Sequence, residues 1–260
     1  FSYVCQNATR WLAYYFKKLI PGVQIYIGGA GCLDTFTGPS RFVDDLLSAG
    51  VVDYHVRGDG EQSLYELLKG NNKYPGINSL EWQEMSNVEL GHLSLPDYSD
   101  YNFRYYEKKV LPLLGSRGCV RNCTFCDYIA NWKKFQWRTA EDIFAEMQYQ
   151  YQLYGITSFK FQDSLTNGNQ KEFRQLCQLL SDYNKTAKNK FKWSGYYIFR
   201  EWTEQSANDW QLVYESGAEY LIVGIENLNE DIRYAIGKKF SNESIDLHLE
   251  QALKFNIQLM

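Results

Sequence analysis

Val110-Leu111-Pro112-Leu113-Leu114-Gly115-Ser116-Arg117-Gly118-Cys119-Val120-Arg121-Asn122-Cys123-Thr124-Phe125-Cys126-Asp127 is the stretch on which the reading of this chain turns. The apolar run from Val110 to Leu114 reads as a strand, and it leads directly into three cysteines at C-x3-C-x2-C spacing. Cysteine thiolates are the soft anionic ligands that iron–sulfur clusters require. Three of them on one short loop can grip three corners of a cubane [4Fe-4S] cluster. The fourth iron, left without protein sulfur, can then bind and activate another molecule, as an open catalytic metal position does.

Other uses of cysteine fit less well. Cys5, Cys32 and Cys177 are scattered singly, with no second C-x2-C pair to complete a zinc site. His55, His92 and His248 are equally isolated, so spacing offers no fourth zinc ligand. Six unevenly spread cysteines in 260 residues do not resemble the framework of a small disulfide-stapled secreted fold.

The length suits one large α/β domain or two modest ones. A net charge of −4 lacks the basic excess of a general nucleic-acid-binding surface, so a nucleic-acid partner is not expected. No run of 18 apolar residues or signal-peptide pattern is present, so no membrane association is expected. Reduced cysteines poised for a metal centre add the expectation of a cytoplasmic protein. The absence of an initiator methionine at Phe1, and an end at Met260 within a strand-like run, read as an excerpt of a longer protein.

Through the first seventy residues, strand and helix patterns alternate. Strands are expected at Phe1 to Cys5, Val23 to Ile27 and Val52 to Val56. Helices are expected from a cap at Asn7 or Thr9 to about Lys18, from Ser40 to Ser48 and from Ser63 to Leu68. This alternation predicts a parallel, doubly wound sheet, whose ligands bind where glycines follow strands, as in Gly28-Gly29-Ala30-Gly31. A glycine run of this kind is also an ordinary turn. Residues 71–108 are polar, turn-rich and aromatic, and read as a linker.

From residue 109 a second βα series begins. Strands are expected at Val110 to Leu114, Ile156 to Phe161, Trp193 to Phe199, Tyr220 to Val223 and near Asn256. Helices are expected from Thr139 as N-cap, with Asp142 in a capping-box position, to Leu153, and over Gln170 to Tyr183, Ser206 to Glu215, Asn229 to Ile236 and Glu243 to Lys254. If the strands form a parallel barrel, their carboxyl ends converge on one mouth. That mouth would then hold Cys119, Cys123, Cys126, Asp163, Arg200 and Glu226. Carboxylates there can accept from hydroxyls, and an arginine offers a fixed bidentate fork to a carboxylate. Asp163 and Asn167 can equally be loop-capping residues, Arg200 can pair with Glu201 or Glu204, and Tyr128, Trp132 and Trp137 can be packing.

The cysteine spacing, with aromatic Phe125 just before the third cysteine, resembles the radical S-adenosylmethionine enzymes. Two further groups of segments resemble the class of that family that also binds cobalamin. They are Ile27-Gly28-Gly29 with Val56-Arg57-Gly58-Asp59-Gly60-Glu61, and Phe161-Gln162-Asp163-Ser164-Leu165 with Asn167-Gly168-Asn169, Arg200, Gly224-Ile225-Glu226-Asn227 and Lys238. The resemblance implies an α/β fold made of the C-terminal half of a doubly wound Rossmann-like cobalamin-binding domain (1–70), a linker (71–108) and a partial (β/α) TIM-like barrel (109–260). It implies a [4Fe-4S] cluster on Cys119, Cys123 and Cys126, and S-adenosylmethionine near Phe125, Asp163, Arg200 and Glu226. Cobalamin is implied against Gly28 and Gly29. An electron donor such as a flavodoxin or ferredoxin is the implied partner. The implied chemistry is reductive cleavage of S-adenosylmethionine to a 5′-deoxyadenosyl radical, then hydrogen abstraction from an unidentified substrate, with cobalamin-borne methyl transfer to an unactivated carbon. The alternatives are a cobalamin-independent radical enzyme and a non-catalytic iron–sulfur or metal-binding module.

Overall fold

A computed structural model describes residues 5–29, 32, 41–78, 88–126, 128, 132 and 134–260. The chain divides into two compact units, Phe1–Glu89 and Leu90–Met260. The division falls inside the stretch read as a linker, and residues 90–108 go with the second unit.

In the first unit, helix α1 (Gln6–Leu19) is followed by strand β1 (Tyr26–Gly28), α2 (Phe42–Ser48), β2 (Tyr54–Val56) and α3 (Gly60–Leu68). The predicted caps Asn7 and Thr9 lie inside α1, which starts after Cys5 with no side-chain cap bond. The strand expected over residues 1–5 lies outside the described residues, apart from Cys5, which adjoins the helix. β1 and β2 pair in parallel, with Tyr26 opposite Tyr54 and their rings stacked at 5.5 Å. An antiparallel bridge from Val56 to Ile77 is the one strand-like contact in the linker stretch among the described residues. Asp53 ties the entry to both strands, accepting from Ile25 N at 2.6 Å and from Lys17 Nζ at 2.7 Å. Among the described residues apolar burial is divided between two small clusters, one around Ile27, Leu46 and Val52 and one around Val56, Leu67 and Ile77.

The second unit holds β3 (Val110–Leu113), β4 (Ser116–Arg117), β5 (Gln136–Trp137), α4 (Ala140–Tyr154), β6 (Ser158–Phe161), α5 (Gln170–Thr186) and β7 (Lys192–Tyr197). It continues with α6 (Glu204–Glu215), β8 (Ala218–Val223), α7 (Glu230–Ala235), α8 (Asn242–Lys254) and β9 (Gln258–Leu259). Five of these strands form one all-parallel sheet in the order β3-β6-β7-β8-β9, so each new strand adds beside the last. Pro112 is tolerated in β3 because that strand lies at the sheet edge, where a missing ladder donor costs little. Alternation is clean in β3 and β6: Leu111, Leu113, Phe159 and Phe161 point into the core and their neighbours outward.

One contiguous core fills the space between sheet and helices, centred on Phe159, Phe161, Phe191, Trp193 and Trp210. Its rings meet mostly edge to face, the arrangement their quadrupoles favour. In the second unit α4 and α5 start where expected, and α6 starts two residues early, at Glu204. Thr139 Oγ1 accepts from Asp142 N at 3.1 Å, Asn169 Oδ1 accepts from the first turn of α5, and Gly155 ends α4 in the left-handed region. The reciprocal half of the expected capping box at Thr139 is not among the hydrogen bonds of that turn. Instead Ser206 supplies one for α6, accepting from Thr203 N at 3.0 Å. The strand expected to run to Phe199 stops at Tyr197, because Ile198 turns its backbone to a side chain described below.

Candidate functional site

Four loops leave the carboxyl ends of β3, β6, β7 and β8 in one sheet. The first carries the cysteines. It is closed by a feature the periodicity did not signal, the two-residue antiparallel clip of β4 on β5 that pairs Ser116 with Trp137 and Arg117 with Gln136. Gly118 makes the clip possible. It sits at φ +86°, and a Cβ there would lie 2.3 Å from the carbonyl oxygen of Lys134. Arg138 holds the same junction from behind, donating Nη1 to Leu114 O at 3.1 Å and pairing with buried Glu146.

Asp163, at the end of β6, is the post to which this loop is tied. Its Oδ1 accepts from Gly115 N and its Oδ2 from Ser116 Oγ, both at 2.8 Å. The residue is only 2% exposed. Burial pushes its carboxyl up to about 6, against the opposing effect of the Ser116 and Gly115 hydrogen bonds and of Arg138. Expected along a bound nucleoside, Asp163 instead has both oxygens committed to the protein's own loop. The next residue adds a second tie, Ser164 Oγ donating to Gly118 O.

Within the loop, Cys123 is buried and Cys119 and Cys126 are half-buried, and all three are free thiols. A turn bond from Cys126 N to Cys123 O at 3.1 Å and one from Arg121 N to Cys119 Sγ at 3.3 Å shape it. Desolvation raises the Cys123 thiol, Lys238 opposes that, and the adjacent sulfurs of Cys119 and Cys126 raise it further. Cys119 and Cys126 thus both act on the sulfur of Cys123. Among the described residues no group of three His, Cys, Asp or Glu side chains lies close enough together to hold a metal ion. By its chemistry the donor set, three thiols on one short loop, fits a cluster with one open corner, and the sequence offers no second C-x2-C pair for a four-ligand structural zinc site.

The loop after β8 comes back against the cysteines. Thr124 N donates to Ile236 O at 3.2 Å, and a Cβ on Gly237 would lie 3.1 Å from Asn122 O. Lys238 Nζ then donates to Gly224 O at 2.7 Å and to Glu226 Oε1 at 2.9 Å, and sits 5.8 Å from the centre of the Phe125 ring. A Cβ on Gly224 would fall 2.5 Å from both Glu226 Oε1 and Lys238 Nζ, so a larger residue would make that ion pair shift. Glu226 itself adopts φ +65°, an uncommon backbone for a non-glycine residue. Buried Arg233 keeps this excursion in shape by donating to the carbonyls of Asn227 and Phe240.

At the end of β7 the sequence pointed to Arg200 and missed its supports. Asn167 stands in for a strand neighbour, accepting from Ile198 N at 2.9 Å and donating to Ile198 O at 3.0 Å. His248, seen in sequence only as an isolated histidine, accepts on Nδ1 from Trp210 Nε1 and therefore donates from Nε2 to Arg200 O, both at 2.9 Å. Burial holds its pKa below the usual histidine range, in keeping with that neutral form. Arg200 Nη2 donates to Asn167 O and Gly168 O at 3.1 Å each. The suggested partner Glu201 is occupied elsewhere, accepting from Ser241 and Ser244.

In the first unit, Gly28 and Gly29 are required by the fold itself. A Cβ on Gly28 would lie 2.9 Å from Val56 O, and Gly29 sits at φ +91°. Ala30, Gly31 and Asp127 lie outside the described residues. His55 is buried with Nε2 unpartnered, and its pKa is lowered to about 4 by desolvation and then by Arg57. Among the described residues no helix is long and apolar enough to cross a membrane.

No family model matches the chain. It is similar to the anaerobic magnesium-protoporphyrin IX monomethyl ester cyclase of Synechocystis sp., 21% identical over 237 residues that cover 84% of this chain and 45% of that protein. Among solved structures it is similar to the radical S-adenosylmethionine methyltransferase TsrM from Kitasatospora setae, solved with tryptophan substrate and an S-adenosylmethionine analogue. The TM-score is 0.71 and the identity 17%, over 98% of this chain and 52% of that one. It is equally similar to the cobalamin-dependent S-adenosylmethionine radical enzyme OxsB with aqua-cobalamin and S-adenosylmethionine bound, at a TM-score of 0.71 and 17% identity, over 98% and 38% of the two chains. The chain spans about half the length of the curated relatives it matches. Its structural neighbours are cobalamin-dependent radical S-adenosylmethionine enzymes, and the chain has their α/β fold with a mostly parallel sheet.

Proposed function

We propose that this chain carries the core of a radical S-adenosylmethionine enzyme of the cobalamin-dependent class, acting as a methyltransferase on an unactivated carbon. We read the five sequential strands as part of a (β/α) barrel and the first unit as the carboxyl half of a cobalamin-binding domain. One observation carries the proposal: three free thiols on one short loop fixed at the carboxyl end of β3, with the loops from β6 and β8 holding it in place.

Cys119, Cys123 and Cys126 would hold the [4Fe-4S] cluster, and Gly28 and Gly29 would let backbone approach cobalamin. When bound, these groups supply an electron for reductive cleavage of S-adenosylmethionine to a 5′-deoxyadenosyl radical, and a methyl group for transfer. The chain's own residues then orient and enclose. Asp163 and Ser164 tie the start of the cysteine loop to the end of β6, which limits the conformations from which its thiols would take up metal. Glu226, held on one oxygen by Lys238, keeps the other to accept from a ribose hydroxyl. Arg200 offers donors to the methionine end of the ligand. Phe125, half-exposed beside Lys238, lies where it can shield the loop from water. An electron donor of the flavodoxin or ferredoxin kind would complete the system.

The test is anaerobic reconstitution with iron and sulfide, reduction, and electron paramagnetic resonance with and without S-adenosylmethionine. A cubane signal that shifts when the ligand is added is the expected result. A signal indifferent to the ligand would leave an electron-transfer or structural cluster, and no cluster at all would overturn the reading.

A further inference from the structure

One lysine within the sheet of the second unit is set apart from its neighbours. Lys192 is matched by Glu219 at 2.8 Å, Lys185 by Asp182 at 2.9 Å and Lys238 by Glu226 at 2.9 Å. Lys160, inside β6, is half-buried and has no acid or hydrogen-bonding partner among the described residues. The strand register fixes its surroundings. Pro112, Lys160, Ser194, Tyr220 and Gln258 are paired in turn across all five strands, and residues paired in a parallel sheet share a face. Phe159, Phe161, Trp193 and Leu221 belong to the core shared with the helices, so this row lies on the face turned away from the helices. Two residues nearer the carboxyl ends, Tyr196 stands opposite Ile222 and continues that face. Neither row contains an acid. Ser194 adds a second unused group, being 4% exposed with no hydrogen bond to its hydroxyl among the described residues. Lysine is disfavoured in strands, and an ammonium partly withdrawn from water costs stability unless an anion joins it. A mostly apolar face with one cation and a few hydroxyls is the composition of a small-molecule site. Neighbouring strands are about 4.8 Å apart, so Ser194 is within reach of a group held by Lys160, and Tyr220 lies about 10 Å away, the span of a small organic acid.

We propose that Lys160 and Ser194 anchor an oxyanion, a carboxylate or phosphate ester, on the second substrate, an organic acid whose apolar or aromatic body lies against Tyr196, Tyr220 and Ile222. Naming the ligand as the second substrate rests on the proposed function: the groups read for S-adenosylmethionine, Arg200 and Glu226, lie past the strand ends, whereas this row lies within the strands. The anion site itself does not rest on it.

The probe is benzoate, with benzyl alcohol as its uncharged counterpart, titrated by ligand-detected nuclear magnetic resonance at constant ionic strength against the cluster-free chain. Wild type should bind benzoate about tenfold more tightly than benzyl alcohol, the usual effect of a charge-assisted hydrogen bond. K160M should lose that preference by weakening benzoate about tenfold while leaving benzyl alcohol unchanged, an outcome that misfolding would not produce. K160R, which keeps the charge, should retain most of the preference, and S194A should lose part of it. In the reconstituted protein, saturating S-adenosylhomocysteine should leave benzoate binding unchanged. Equal benzoate affinity in wild type and K160M, or no preference for benzoate in wild type, would overturn the proposal. So would displacement of benzoate by S-adenosylhomocysteine, since Lys160 would then belong to the S-adenosylmethionine site. Failure of cluster assembly with the benzoate preference intact would sink the proposed function and leave the anion site standing.

Discussion

At the end of β6, Asp163 is 2% exposed and accepts two hydrogen bonds from the cysteine loop. At the end of β8, the Glu226 side chain is 39% exposed and uses one oxygen, to Lys238, with no protein donor to the other among the described residues. Both carboxylates follow apolar strands, and both were expected to face the ligand. The difference shows how a strand-end acid is assigned its role. A buried carboxylate with both oxygens bonded to its own fold holds structure, while an exposed one held on a single oxygen retains capacity for a ligand. The same distinction separates Lys192 and Lys185, matched by acids, from Lys160.

Four experiments would break or sharpen that comparison. Replacing Cys119, Cys123 or Cys126 with serine should abolish cluster assembly, measured as bound iron and resonance signal after reconstitution, because serine is a poor soft-metal ligand. Retention of a full cluster in all three variants would remove the centre of the proposal.

D163A should destabilise the second unit by about 2 to 4 kcal/mol in chemical denaturation, since it orphans the Gly115 amide and the Ser116 hydroxyl in a buried site. D163N keeps the shape and an acceptor for Gly115, so its loss should be much smaller. Similar losses for the two would mean that Asp163 is not the post of the loop.

Asp163 also sets a pH dependence opposite in sign to the usual carboxylate. Its folded pKa is raised from 3.8 to about 6, so its contribution is fully present below about 4 and lost as pH rises through 6. Wild type should therefore lose roughly 2 kcal/mol between pH 4.5 and 7.5 relative to D163N. Parallel profiles for the two proteins would mean that the ionised form is not penalised.

The smallest effect is expected at the other carboxylate. K238M removes a partly exposed ion pair and should change stability by less than about 1 kcal/mol. It should still weaken S-adenosylmethionine binding several-fold by freeing Glu226, measured by equilibrium binding to the reconstituted protein. K238R should restore part of that affinity. A large stability loss with unchanged affinity would make Lys238 a purely structural strap.

Much of this architecture was legible in the residues. Alternation in Leu111, Leu113, Phe159 and Phe161 marked β3 and β6, and Thr139 marked the start of α4, because these signals act over a few residues. Errors came where distant contacts won. The strand expected to reach Phe199 ended at Tyr197 because Asn167 captured Ile198 from 31 residues away. The β4–β5 clip was invisible because two-residue strands have no period; Gly118 was its only local trace.

By itself the sequence determined the βα alternation, the C-x3-C-x2-C loop after an apolar strand and the set of polar residues past each strand, since pattern and spacing are local properties. Only the tertiary structure decided what each polar residue does. It buried Asp163 with each oxygen bonded to the cysteine loop, brought Lys238 across to Glu226 and Phe125, and left Arg121 and Arg200 without an acid partner among the described residues. Those outcomes depend on which donors, acceptors and charges folding places within a few ångströms, and no short stretch of chain carries that information.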